Sequence, residues 1–240
     1  MNRKPGTHPL SRPASLPGGK EGASPVSQHV VLVTGFEPFG GEKSNPSWDL
    51  CELLPAIIAG LRVVKVRVPC EFHRCIEVAA TAIERHKPEL VICVGQAGGR
   101  THLSIERVAI NIDDARVPDN VGAAPVDEAI APQGPPAYFA TLPVKAMAAA
   151  MRAAGVPAEV SNTAGTYVCN HLMYGVLHFI AVKKPGTRAG FIHVPFDEQQ
   201  VRDRNGTPSM SLATMARGIE AAIAVATSGG EIKVSEGRLD

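Results

Sequence analysis

Residues 30–54 read VVLVTGFEPFGGEKSNPSWDLCELL, and this stretch sets the pattern of the whole chain. Val30–Thr34 is a short apolar run that stops at Gly35, as a parallel strand buried on both faces would. Asn45-Pro46 then supplies an N-cap and a proline at the first helical position, opening a helix that carries Trp48, Cys51 and Leu54. A buried strand followed by a helix is half of a βαβ unit.

The alternation continues outward from there. Arg62–Val68 places Val64, Val66 and Val68 on one face of a strand. Residues 71–86 set Phe72, Ile76, Ala79, Ala80 and Ile83 along one helical stripe. Leu90–Val94, closed by Gly95, is a further strand, and Ser104–Ile112 reads as another. Residues 113–141 form a long excursion, which in a compact domain is usually functional or mobile. Then follow a helix over Leu142–Ala154 ended by Gly155, a strand at Ala158–Ser161, and a Gly165 turn into a helix at 167–182. A strand at Arg188–Val194 and a helix at 208–227 complete the series. Such alternation predicts a single-domain α/β/α sandwich with a largely parallel central sheet, covering residues 29–228. Residues 1–28 hold five Pro, four Gly and four Ser with few large apolar side chains, which predicts a disordered tail. Residues 229–240 are expected to be a flexible end.

The chain has 240 residues and a formal net charge of +1, so nothing in its charge balance favours nucleic acid or an anionic membrane as partner. No run approaches the roughly 18 apolar residues of a membrane helix. Five cysteines (Cys51, Cys70, Cys75, Cys93 and Cys169) form no Cys-x-x-Cys pair and no disulfide-framework spacing. With no apolar signal segment near the start, this predicts a reduced, cytoplasmic setting.

Cys169 has the context of a nucleophile. It sits in TAGTYVCNH (163–171), where a glycine turn feeds a helix start. The positive end of a helix dipole favours thiolate, and its free N–H groups can receive an oxyanion. Cys51, Cys75 and Cys93 instead fall within apolar patterns, as small buried hydrophobes do. A thiol nucleophile needs a base. His193 ends the strand GFIHVP (190–195), and sites in open α/β sheets form at the carboxyl ends of strands. His171 and His178 lie on the same helix as Cys169 but point elsewhere or sit too far along it, and read as structural histidines. For an orienting carboxylate, Glu106 lies in the apolar stretch 103–110, although a solvated Glu106–Arg107 pair is the favoured reading from pattern alone. Asp113, Asp114 and Asp119 compete. The stretch Cys70–Cys75 lacks zinc-ligand spacing, and Gly35–Gly41 lacks a phosphate-loop ending. Phe36 and Phe39, in a loop at a strand end, suit an apolar wall for an uncharged ligand.

At these residues the chain resembles the pyrrolidone-carboxylate peptidase (pyroglutamyl peptidase I) family of cysteine peptidases. Four segments carry the likeness: Gly35–Gly41 with Asn45-Pro46-Ser47, GQAGGRTHLSIERVAIN (95–111), SNTAGTYVCN (161–170) and Gly190–Pro195. It spans about residues 30–225. The resemblance implies Cys169 as nucleophile, His193 as base and Glu106 as its orienter, against the pattern reading of Glu106. It implies Arg116 at the oxyanion region, Phe36 and Phe39 around the pyrrolidone ring, and Gln96 bonding the lactam through its backbone. It adds Asn45, Val117 and Tyr167 to the substrate pocket. It further implies a homotetramer, peptide substrates with an N-terminal pyroglutamyl residue, and no metal or organic cofactor. Two departures are the FDEQ run at 196–199 and the extra residues 1–28. The expected function is thus removal of N-terminal 5-oxoproline through an acyl-enzyme; the competing readings are a small-molecule amidase on the same fold and a non-catalytic lactam-binding protein.

Overall fold

A computed structural model describes residues 1–2, 29–184 and 186–237. The expected tail at 1–28 falls almost wholly outside them. The elements run β1 (Val30–Phe36), α1 (Pro46–Leu53), β2 (Ile57–Ile58), β3 (Leu61–Val68), α2 (Arg74–His86), β4 (Leu90–Gln96) and β5 (Leu103–Glu106). They continue as β6 (Val108–Ile110), β7 (Ala137–Phe139), α3 (Val144–Ala153), β8 (Ala158–Ser161), α4 (Val168–Lys183), β9 (Arg188–Val194) and α5 (Leu212–Ser228).

Seven strands form the central sheet in the order β2-β3-β1-β4-β9-β5-β8. The pairs β1/β3, β1/β4, β4/β9 and β5/β8 are parallel, while β2/β3 and β5/β9 are antiparallel. The sheet is therefore largely parallel, as the alternation predicts. Its central strands are apolar throughout because both faces are covered: α1, α3 and α5 pack on one face, α2 and α4 on the other. α1 starts where the sequence predicts, with the Asn45 side chain accepting from Ser47 N and Pro46 in the first turn. It lies so close to β1 that a Cβ on Gly35 would stand 2.3 Å from the Ser47 carbonyl oxygen.

Two expectations need correction. The single strand expected at Ser104–Ile112 is two strands in two sheets. Arg107 marks the change: its N–H donates to Ser161 O at the main sheet's edge, while its carbonyl accepts from Ala140 N beside the β6/β7 ribbon. The α2 stripe also differs. The helix starts at Arg74, and its buried residues are Cys75, Ala79, Ala82 and Ile83. Phe72 is buried in the turn before it, where the Asp119 carboxylate accepts its N–H.

The 113–141 excursion is held by specific bonds. Asn111 accepts from Ala131 N and donates to its carbonyl, Asp113 bridges to Glu128, and Asp119 accepts from Val121 N and Ala123 N. Residues 229–237, where the sequence suggests a flexible end, run along α3. There the Glu231 carboxylate accepts from Lys145 N and Ala146 N, and Glu236 pairs with Arg152.

Candidate active site

Strands β3, β1, β4 and β9 run the same way, so their carboxyl ends share one edge of the sheet, and the candidate site forms there. β5 runs opposite to β9 and pairs Ser104 with His193 and Glu106 with Phe191. Glu106 and His193 are thus diagonal neighbours on one face of the sheet. Their side chains meet: His193 Nδ1 lies 2.7 Å from Glu106 Oε1, with the carboxylate fully buried. Arg100 Nη1 donates to the same oxygen at 2.8 Å. Burial alone would raise the Glu106 carboxyl. The hydrogen bond and charge of His193, with Ser161 and Arg100, outweigh it and hold the group below the usual carboxylate range. An ionised Glu106 accepts, so Nδ1 carries the proton and Nε2 keeps its lone pair.

Cys169 comes to the same edge of the sheet from α4. Its sulfur sits against Gly95, the register partner of His193 in β4, where a Cβ would stand 2.9 Å from Sγ and 2.6 Å from the Phe191 ring. Glycine here leaves the space that sulfur occupies. Among the described residues no hydrogen bond joins the thiol to the imidazole. Cys169 is the second residue of α4, whose N-cap, Tyr167, makes no side-chain capping bond. The helical ladder begins with His171 N donating to Tyr167 O, so the N–H groups of Val168, Cys169 and Asn170 precede it and remain available donors. The expectation of a favoured thiolate meets an opposing effect. Burial pushes the thiol up, with Cys70 and Glu106 acting in the same direction against Arg100. Burial likewise pushes His193 down, despite Glu106. Both shifts favour the neutral forms, thiol and imidazole.

A cavity of about 200 Å³ opens beside the sulfur. Phe36, Phe39, Asn45, Gln96, Tyr167 and Cys169 line it, together with Ser44, Cys70, Gly98 and Val168. None of these side chains carries a formal charge at neutral pH. Burial pushes the Cys70 thiol up to about 12, with Glu37 and Asp119 adding to it. Two expected pocket residues stand elsewhere. Arg116 and Val117 are exposed, on the segment that flanks the helix start, where Asp114 N donates to Thr166 O and Tyr167 Oη donates to Pro118 O. Neither is among the residues that line the cavity.

The other histidines are engaged. His171 is buried with Nδ1 at 2.7 Å from Asp113 Oδ2, while its Nε2 accepts from His73 N. His178 bonds the Tyr138 hydroxyl at 3.0 Å. Cys51, Cys75 and Cys93 are buried in the core, as their patterns predict, and Cys70 is buried too. Sequence reasoning missed Arg100, Cys70 and Ser44. Arg100 had a usable signal, six residues before Glu106 and just after a glycine pair. Cys70 had none beyond its place at the end of a strand.

A family profile described as pyroglutamyl peptidase matches residues 29–229. The chain is 56% identical over 193 residues to a protein of Levilactobacillus brevis named pyrrolidone-carboxylate peptidase, covering 80% of this chain and 95% of that one. Its fold is similar to the crystal structure of pyroglutamyl peptidase I from Bacillus amyloliquefaciens, with a TM-score of 0.83 and 43% identity over 87% of this chain and all of that one. Pyrrolidone carboxyl peptidase from Thermococcus litoralis matches with a TM-score of 0.83 and 38% identity over 87% of this chain and all of that one.

Proposed function

This chain belongs to the pyroglutamyl peptidase family of cysteine hydrolases, and from that premise we propose how its residues remove an N-terminal pyroglutamyl group from a peptide. Cys169 Sγ attacks the carbonyl that joins the pyroglutamyl residue to the next amino acid. With both groups neutral at rest, the thiol proton passes to His193 Nε2 as sulfur bonds to carbon. Glu106 fixes the imidazole tautomer and stabilises the imidazolium, and Arg100 anchors Glu106. The oxygen's developing charge is met by the free N–H groups at the start of α4. His193 then protonates the leaving amine, and afterwards takes a proton from the water that releases 5-oxoproline from the thioester.

The observation that carries this reading is an uncharged, aromatic-walled cavity lined by Cys169, whose sulfur sits against Gly95, the register partner of a His193 that is paired with Glu106. A neutral lactam ring suits Phe36 and Phe39, with Asn45, Gln96 and Tyr167 around it. Arg116 and Val117 would contribute only at the rim, toward the peptide beyond the ring. A homotetramer and a cytoplasmic setting belong to the same reading. Supporting them are the exposed apolar side chains Val117, Val121, Val126, Phe139 and Val182, and five free cysteines. Among the described residues no helix is long and apolar enough to cross a membrane. The deciding experiment is hydrolysis of a pyroglutamyl-arylamide with and without iodoacetamide. Release of arylamine that is lost as Cys169 becomes alkylated is expected. Turnover that survives complete alkylation of Cys169 would refute the assignment.

A further inference from the structure

β9 ends one residue beyond His193, and residues 195–210 fold back over the site before α5 begins. This loop is attached to two segments that line the cavity. Phe196 packs on Gly98, where a Cβ would stand 2.2 Å from the ring, and the Arg204 guanidinium lies 5.4 Å above that same ring. Arg204 also pairs with Glu42, in the loop that supplies Ser44 and Asn45 to the cavity lining. At the centre of the loop, Gln200 Nε2 donates to Gln96 Oε1 at 3.0 Å.

The direction of that bond is fixed by the backbone. Asp197 N can only donate, and it donates to Gln200 Oε1 at 3.0 Å. Gln200 must therefore offer its NH₂ group to Gln96, and Gln96 must answer with its carbonyl oxygen. The Gln96 NH₂ group makes no hydrogen bond among the described residues, and Gln96 lines the cavity. A relay from Asp197 through Gln200 thus leaves a donor, and not an acceptor, on the cavity wall.

We propose that Gln200 is a positioning residue for specificity: it sets the amide orientation of Gln96, so that the cavity presents a hydrogen-bond donor to a carbonyl-bearing, uncharged ring. This rests on the reading that the cavity takes the pyroglutamyl group. The relay runs from Asp197 through Gln200 in the loop that follows β9, and it reaches Gln96 at the end of β4.

Steady-state kinetics on a pyroglutamyl-arylamide, with the full chain and with Gln200→Ala and Gln200→Glu, test the proposal. Alanine removes both bonds and frees the Gln96 amide to rotate. Glutamate keeps the acceptor for Asp197 N, and so keeps the turn, but it draws the Gln96 NH₂ toward itself and turns the Gln96 carbonyl to the cavity. KM is expected to rise about tenfold in Gln200→Ala, the effect of one weakened hydrogen bond. It should rise further in Gln200→Glu, with kcat within about twofold in both. A merely structural role predicts the reverse order, because glutamate preserves the turn. Gln200→Ala worse than Gln200→Glu, or unchanged KM in both, or a loss confined to kcat, would overturn the proposal. An inactive parent chain whose Cys169 still alkylates would overturn the functional reading itself, and is told apart by the parent's own rate.

Discussion

His193 governs how the site responds to pH. Burial lowers it below the ordinary histidine value of 6.5, while Glu106 is held lower than an ordinary carboxylate and stays ionised as the imidazole titrates. In the proposed mechanism only neutral His193 takes the thiol proton, so activity is expected above its lowered pKa and lost as pH falls through it. The acid limb of kcat/KM is therefore expected to have its midpoint below 6.5, measured between about pH 4.5 and 8. A midpoint above 6.5 would mean that Glu106, by favouring the imidazolium, outweighs burial. At this scale the sequence was legible where context is local. Cys169 follows a glycine turn, and His193 ends an apolar strand. The state of the thiol was not legible, because the helix start argues for thiolate while burial, joined by the charges of Cys70 and Glu106 from far along the chain, opposes it.

Among the elements, the start of α1 was readable from Asn45-Pro46, whereas its close contact with β1 at Gly35 was not. That contact predicts a severe effect of Gly35→Ala, since the new methyl would meet the Ser47 carbonyl at 2.3 Å and Trp48 Cα at 2.7 Å, backbone atoms that cannot swing away. A loss of about 3 kcal/mol in urea unfolding is expected; a loss under about 1 kcal/mol would show that α1 can move. α3 provides a second test. Pro143 at its N-cap makes no side-chain cap, and Glu231 from the C-terminal segment accepts from Lys145 N and Ala146 N in its place. Glu231→Ala should cost about 1 kcal/mol in the same measurement, and no change would show that the segment contributes nothing to α3. The division of 104–112 at Arg107 was hidden because its causes, Ser161 and Ala140, lie far away in sequence. The late start of α2 was hidden likewise, because Asp119 and His171 bind the Phe72 and His73 amides from other elements.

For the molecule as a whole, the cavity exists only once the sheet is assembled. Phe36 comes from the end of β1, Gln96 from the end of β4, Cys70 from beyond β3 and Tyr167 from before α4. Composition and periodicity gave the layers, local context singled out Cys169 and His193, and the family resemblance added Glu106, Asn45, Gln96 and Tyr167. Arg100 and Gln200 emerged only from packing. The uncharged lining predicts discrimination between pyroglutamyl and prolyl N-termini, which share a five-membered ring. A prolyl cation would lose hydration in this cavity, and it lacks the ring carbonyl that a wall donor can meet. Cation–π attraction to Phe36 and Phe39 offsets only part of that. A preference in kcat/KM of about 10⁴-fold for the pyroglutamyl-arylamide is expected, and comparable values would remove the pocket assignment.

The central claim is that Cys169 carries the pyroglutamyl group during turnover. Its most direct test is an acid quench of the enzyme during hydrolysis of a pyroglutamyl-arylamide, followed by mass measurement of the peptide that contains Cys169. A 5-oxoprolyl thioester on Cys169, removed by neutral hydroxylamine and missing from Cys169→Ser, is expected. A 5-oxoprolyl adduct on another residue, or a folded Cys169→Ser chain that turns over at the parent's rate, would contradict it.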